Sequence, residues 1–288
     1  MLSLHTNASA LSAQNSIGST QKSLSTSMTR LSTGFRINSA MDDAAGLQIA
    51  TRLKAQTSGM AMAMRNTQNS ISMLQTAEGS FDEVTNMLVR MKDLATQAAD
   101  ASSTASDKTA MQSEFDALGT ELNNVMNNTT FGGNKLLKGG TLAAPMTFQI
   151  GASSAEKMTL DLSATGTSSM VNLDTSLGLA TANYAAPNTT GTELTASASA
   201  TIDLLSTAIG DVGTVRSALG AASNRLDHVY NNLSNISTNT KAATGRIMDV
   251  DFASESSNMT SSQMLLQAGT AMLKQSNSMS SMVMSLLQ

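Results

Sequence analysis

The run "LSTAIGDVGTVRSALGAASNRLDHVYNNLSNI", residues 205–236, decides the fold. Leu205, Val212, Leu219, Leu226 and Leu233 recur in it at every seventh position, and Val215, Ala222, Val229, Ile236 and the more distant Ala243 follow a second track of the same spacing. Two apolar tracks on neighbouring stripes predict a helix over about 199–247 that packs between other helices, not against solvent alone.

Working outward, the same period appears wherever proline does not. The two prolines are Pro145 and Pro187, so both ends of the chain are free of the strongest helix breaker. Met60, Thr67, Leu74, Phe81, Leu88 and Ala95 form one heptad position, with Met64, Ile71, Met91 and Ala98 beside it. This predicts a helix over about 42–99, roughly 85 Å long at 1.5 Å per residue. "ADASSTASDKT" interrupts it with residues able to cap the next helix, an amphipathic run through Phe115, Leu118, Leu122, Val125 and Met126 that ends near Asn128. The period then changes to two. Phe148 and Ile150, then Met158, Leu160 and Leu162, alternate with polar neighbours across "GASSAE", which reads as a small β-hairpin or meander. Residues 163–198 are rich in Ser, Thr, Gly and Ala with weak periodicity, and are expected to be a loosely structured surface excursion.

Both chain ends carry a seam. Leu4 and Leu11 lie seven apart at the amino end, and after a one-residue shift Ile17, Leu24 and Leu31 keep the spacing, with Met28 between the last two. Leu265, Met272, Met279 and Leu286 repeat the theme at the carboxyl end. A helix with one narrow Leu/Met stripe and a Ser/Thr/Asn surface is marginal alone in water. Its simplest partner is the other terminus. Once the two pair, Leu266, Leu273, Val283 and Leu287 are expected to remain as apolar surface for neighbouring molecules. The pattern predicts a mainly α chain, an elongated antiparallel helical bundle or coiled coil with a small β-hairpin region, that polymerises.

Composition narrows the function classes. The 288 residues are 41% hydrophobic but only 3% aromatic, with no Trp and 21 Met, so the core is built from small and pliable side chains suited to close helix contacts. A net charge of −4 without a basic stripe argues against nucleic acid. The absence of Cys removes disulfides, thiolate metal sites and thiol chemistry. "MLSLHTNASALSAQNS" lacks a basic n-region and a continuous apolar h-region, and no apolar run reaches about 18 residues. If the protein leaves the cell, neither an ordinary cleaved signal nor a membrane anchor is expected to carry it.

The charged island at residues 30–54, "RLSTGFRINSAMDDAAGLQIATRLK", invites a catalytic reading. Adjacent Asp42 and Asp43 would point about 100° apart on a helix, so their carboxylates do not converge. Ser39 and Asp42 instead fit a helix-start capping pattern, and Gly34 a break between two helices, since no phosphate-loop motif surrounds it. His5 and His228 stand apart without a second ligand, the serines have no visible activating base, and methionines at heptad spacing read as core and interface. No catalytic, cofactor or metal residue is expected. The N-x-S/T triplets at Asn128 and Asn188 are commonplace in so Asn/Ser/Thr-rich a chain.

The island, together with "NTQNSISMLQTAEGSFDEVTNMLVRMKDLATQAA" (66–99), "TTFGGNKLL" (129–137), "FQIGA" (148–152), "LGAASNRLDHVYNNLSNIS" (219–237) and "IMDVDFASESSNMT" (247–260), closely resembles bacterial flagellin over nearly all the chain except about 165–198. The short excursion there makes it similar to short flagellins, and the "LSLHTN" start is similar to lateral-type ones. The resemblance implies an inner-tube helix at 1–35, an outer-tube portion at 36–164 containing a long helix, a short helix and the hairpin, a variable surface segment at 165–198, a long outer-tube helix at 199–249, and an inner-tube helix at 250–288. Polymerisation is then expected through Leu4, Leu11, Leu24, Leu31, Leu265, Met272, Met279 and Leu286, with Gly34, Ser39 and Asp42 at the joint between layers.

The resemblance also implies an extracellular place in the flagellum filament, type III export with termini unfolded, and partners beyond the chain itself: an export chaperone, cap and hook-associated proteins. It further implies host flagellin receptors, the animal Toll-like receptor reading positions that carry over to Arg90, Leu94 and Glu114, and the plant receptor kinase reading the segment at 29–50. A hook–filament junction protein is the competing reading. It resembles "DDP" where this chain has Asp42-Asp43-Ala44, and lacks the "GLQIA" continuation. A flagellin bearing a metallopeptidase needs a large insert with H-E-x-x-H, and neither is present.

Overall fold

The computed structural model describes residues 7–163 and 169–286, with side chains up to residue 279. The described residues form eight helices in chain order, α1 (Ala8–Thr33), α2 (Ala44–Ala99), α3 (Ala105–Asn128), α4 (Met170–Ala180), α5 (Ala182–Ala185), α6 (Glu193–Ala196), α7 (Ala198–Met248) and α8 (Phe252–Leu286). Two small hairpins, β1 (Thr130–Phe131) with β2 (Asn134–Lys135) and β3 (Met146–Gln149) with β4 (Lys157–Leu160), lie between α3 and α4. The chain divides into two compact units, one made of the segments up to Thr57 and from Thr238 onward, the other of Ser58–Ser237.

In long helices so rich in Ser and Thr, many of the hydroxyls are satisfied locally. Thr20, Thr26, Thr29 and Thr33 in α1, and Thr51, Thr57 and Thr67 in α2, each donate to the carbonyl four residues earlier. Back-bonding of this kind leaves the apolar stripe to decide the packing. Helix ends follow side-chain chemistry too. Thr104 accepts from the Asp107 N–H at 3.3 Å while Asp107 accepts from the Thr104 N–H at 3.0 Å, a reciprocal cap that starts α3 where "ADASSTASDKT" breaks α2.

In the Ser58–Ser237 unit the heptad residues of α2 from Met60 to Ala95 are all buried, as are Leu205, Val212, Leu219, Leu226 and Leu233 of α7. Phe115, Leu122 and Met126 of α3 belong to the same core. The second track of α7 behaves differently: Val215 and Ala222 are buried, but Ile236 is exposed, so the apolar stripe narrows toward the carboxyl end. Arg216 pairs with Asp82 at 3.1 Å, and Arg90 with Glu114 at 2.6 Å, at the solvent edges of this core. Exposed pairs contribute at most about 1 kcal/mol.

The hairpin expected around "GASSAE" is present, with Met146 opposite Leu160 and Phe148 opposite Met158, the latter two facing inward. Its turn rests on α2 at Gly59, where a Cβ would lie 2.7 Å from the Ala152 Cβ. The tighter β1–β2 hairpin turns through Gly132 and Gly133 at φ 58° and 87°, left-handed values that glycine adopts without strain.

The excursion at 163–198 differs from the loose segment expected. Where described, it is a packed cap: Met170, Leu173, Leu177 and Ala180 of α4, then Tyr184 and Leu194, join the main core. It is clasped to α3 by polar groups. Asp116 accepts from Gln112 and Asn183 through Oδ1, at 2.8 and 2.9 Å, and from the Gly191 N–H through Oδ2 at 3.1 Å. The Gln112 Oε1 accepts from the Leu194 N–H at 2.7 Å, and its amide nitrogen also donates to Glu193 at 2.8 Å. The buried Tyr184 hydroxyl donates to Asp174 at 2.5 Å, while Lys138 lies 3.9 Å above the Tyr184 ring. Desolvation, then the hydrogen bond to Asp174 and that carboxylate's charge, hold the tyrosine proton on far above its ordinary range.

Two substitutions test this packing. Leu226→Asp places an unpaired carboxylate in the seam of α7 and is expected to cost several kcal/mol, read as a lowered thermal midpoint; an unchanged midpoint contradicts the seam. Asp116→Ala strips the buried Asn183 and Gln112 of an acceptor and is expected to cost about 1–3 kcal/mol in urea unfolding. Proteolysis should then begin within residues 181–197, and a midpoint equal to that of the parent protein would remove the clasp.

Candidate functional site

The unit that contains both chain ends holds the terminal helices side by side and antiparallel. Asn7, the N-cap of α1, accepts from the Ala10 N–H at 3.1 Å and donates to the Ser276 carbonyl of α8 at 3.3 Å. Midway, a Cβ on Gly269 would stand 2.9 Å from Cγ1 of Ile17, so the glycine gives the isoleucine room. At the other end Arg30 lies 3.7 Å from Glu255, which is only 7% exposed. On α8 the partly buried positions are Met259, Ser262, Leu266, Gly269, Leu273 and Ser276; on α1 they include Ala13, Ile17, Thr20 and Leu24, with Ser27 buried.

That phasing corrects the sequence reading. Leu266 and Leu273, expected as leftover surface, belong to the partly buried face. Leu265, Met272 and Met279, read as the seam, are 59%, 67% and 59% exposed, and Met264 is exposed beside them. A heptad repeat fixes a stripe but not which adjacent residue points inward, and one position is a rotation of about 100°. Of the expected polymerisation residues on α1, Leu24 and Leu31 are half-buried and Leu11 is exposed; Leu4 and the Leu286 side chain lie outside the described residues. Four long apolar side chains exposed along one face of a single helix make a patch of the kind that marks an interaction site. Burial of each is worth about 1.5–3 kcal/mol.

The joint is built from backbone pairing. Gly34, at φ 75°, closes α1 with its N–H on the Arg30 carbonyl at 2.9 Å and accepts from the Val250 N–H at 3.0 Å. Arg36 donates through its N–H to the Met248 carbonyl at 2.6 Å, and Phe35 bridges Asp249. An L residue in this left-handed conformation costs about 1–2 kcal/mol, which accounts for the glycine.

Ser39 and Asp42 do not cap α2, a second correction. They close a turn before it: Asp42 Oδ2 accepts from the N–H groups of Asn38 at 3.0 Å and Ser39 at 2.9 Å. The helix is capped one residue later by Asp43, which accepts from the Gly46 N–H at 2.8 Å. The signal was an Asp directly before the first helical residue, masked by the equally plausible S-x-x-D spacing. Asp251 caps α8 in the same way, accepting from Ala253 at 3.0 Å. Asp42, Asp43 and Asp251 are thus each engaged with backbone donors, and Asp42 and Asp43 are not placed as an acid–base pair. Among the described residues no three His, Cys, Asp or Glu side chains gather as a metal site. No helix of the described residues is long and apolar enough to cross a membrane.

Of the residues tied to receptors, Arg90 and Glu114 are exposed and paired through Arg90 Nε at 2.8 Å. Leu94, between them in sequence, is 3% exposed and packed in the core.

These features define a helical structural subunit with an apolar terminal stripe left for other molecules. The family models agree. The bacterial flagellin N-terminal helical region matches residues 4–141 and the C-terminal helical region matches 202–287. The chain is 34% identical to "Flagellin A" of Vibrio anguillarum, covering 100% of both chains, and 32% identical to "Polar flagellin F" of Vibrio parahaemolyticus serotype O3:K6, covering 99% of both. A solved structure described as a putative flagellar hook-associated protein from Vibrio parahaemolyticus has a TM-score of 0.57 over 72% of this chain and all of its own; at 18% identity it shares the fold alone. The chain belongs to the bacterial flagellins. It is a structural subunit of the motility filament, which lies outside the cell, and not an enzyme; the hook-associated alternative is the weaker one.

The joint's acidity is testable. Its backbone N–H groups, Asn38's first and Ser39's next, hold the Asp42 carboxyl below its ordinary value of 3.8. A carboxyl lowered by folding stabilises above that ordinary value and loses the contribution as the pH falls through its own lowered one. Amide exchange at Asn38 and Ser39 is therefore expected to accelerate below pH 3.8 beyond the intrinsic pH dependence, and Asp42→Asn should abolish that excess. Equal excess in both proteins would remove Asp42 from the joint.

Proposed function

We propose that the α1–α8 pair is the element through which the subunit polymerises, with copies meeting along the stripe of Met264, Leu265, Met272 and Met279 and the exposed Leu11. The observation that carries this reading is the exposure of that stripe beside a partly buried face on the same helix. Leu24 and Leu31 support the pair from within, and the heptad spacing of the sequence assigns Leu4 and Leu286 to polymerisation as well. Segments 1–35 and 250–288 then form an inner tube around a channel, and 36–249, including the surface segment 165–198, an outer one. Gly34 with the Ser39–Asp42 turn is the joint where the chain passes between layers.

The partners that follow are further copies of the chain, an export chaperone, and the cap and hook-associated proteins that bound the filament. Export by the flagellar type III apparatus with unfolded termini suits terminal helices that are marginal alone. Host flagellin receptors would meet Arg90 and Glu114 on the subunit surface, and the segment 29–50 once it is released from the filament.

Deleting residues 265–288 removes Leu265, Met272 and Met279 from the stripe and leaves the Ser58–Ser237 core intact. The truncated protein is expected to keep the thermal midpoint of that core and to form no filaments by electron microscopy under salt-induced assembly. Normal filaments from it would refute the proposal.

A further inference from the structure

We infer that the pair of half-buried Arg30 with buried Glu255, together with Ile17 seated at Gly269, sets the register in which α1 lies against α8; this rests on the reading that the helix pair is the assembling element. The two faces that meet are poor in information. A slide of one heptad puts Leu273 where Leu266 lay on α8, or Leu24 where Ile17 lay on α1, and small residues replace small residues elsewhere. Apolar burial alone therefore distinguishes the registers weakly, whereas a polar residue inside a helix seam selects one of them at some cost in stability.

Two features break the repeat. Glu255 is buried and paired across the seam with Arg30 at 3.7 Å. A one-heptad slip moves the guanidinium about 10 Å along the axis. In one direction it brings Ser23 opposite the carboxylate, with the exposed Lys22 turned about 100° aside; in the other it brings up the joint, where Ile37 stands. Either slip also sets Ile17 against Ser262 or Ser276, each bearing a Cβ, in place of Gly269, where a Cβ would stand 2.9 Å from the Ile17 Cγ1 and force that side chain to shift. The Arg30 Nε is buried without an acceptor, so the pair is not an optimised hydrogen-bonded clasp. A salt bridge of that quality adds little to stability and much to the choice between alignments. Arg30 and Glu255 act as positioning residues for the stripe of α8, because a slipped helix presents Leu265, Met272 and Met279 displaced by a full heptad.

The chain has no cysteine, so register can be read by introduced pairs in the full-length protein under assembly conditions. Asn7→Cys with Ser276→Cys reports the observed alignment, since these side chains are 3.2 Å apart, and Gln14→Cys with Ser276→Cys reports a one-heptad slip. The first pair is expected to cross-link within the subunit and the second not. Adding Glu255→Arg should lower the 7–276 cross-link at least about tenfold, and adding Arg30→Glu as well should restore it to within about twofold. Glu255→Gln, which keeps shape without charge, should fall between. Recovery in the charge-reversed double variant is a result that a residue needed only for general stability would not give. A 7–276 cross-link indifferent to Glu255→Arg, or one not restored by reversal, overturns the inference while leaving the polymerisation reading intact. Filaments whose 7–276 pair fails to cross-link with Arg30 and Glu255 both present overturn the helix pairing itself, and the inference with it.

Discussion

Close approach of two helices rich in small side chains is the interaction on which the terminal unit depends. Interaxial distance follows the side chains at the contact, and at Ile17 the facing residue is Gly269, where a Cβ would force that side chain to shift. That approach phases α8: once Gly269 faces α1, Ser262, Leu266, Leu273 and Ser276 share its side, and Leu265, Met272 and Met279 are turned out. The outward stripe is thus the part of α8 that lies off the face turned to α1.

The joint follows from the same pairing. Because α1 and α8 run antiparallel, the segment leaving α1 and the segment entering α8 lie together, and Gly34, Phe35 and Arg36 bond to the backbone at 248–250. Charge concentrates there for structural reasons. Asp43 and Asp251 supply acceptors to helix N-termini whose first N–H groups have no intrahelical partner, and Asp42 does the same for a turn. In the island that resembles an active site by composition, the two adjacent carboxylates close a turn and cap a helix.

Much of this was legible in advance where the period was long and the breakers clear. The α2 expectation began two residues early, because Ser39 and Asp42 satisfy the same spacing rule that Asp43 satisfies by position. The α7 stripe and the β3–β4 hairpin came out where alternation placed them. The excursion did not: α4 is an eleven-residue helix in a Ser/Thr/Gly-rich setting, and its apolar spacing at Met170, Leu173 and Leu177 is too short a run to stand out. Its burial depends on Gln112 and Asp116, polar residues of α3 whose role has no local signature. Leu94 illustrates the converse, since carrying a residue over from a motif says which position matters without saying which way it faces.

By itself the sequence determined that long helices form, that they carry apolar stripes, and which family the motifs belong to, because each of these depends on residue type and near-neighbour spacing. Only the tertiary structure decided which of two adjacent stripes on α8 is covered, that the excursion is packed, that Asp43 and not Ser39 caps α2, and that Glu255 meets Arg30. Those outcomes are set by contacts between residues far apart in the chain. A period of seven along one helix carries no information about the angle at which another helix arrives.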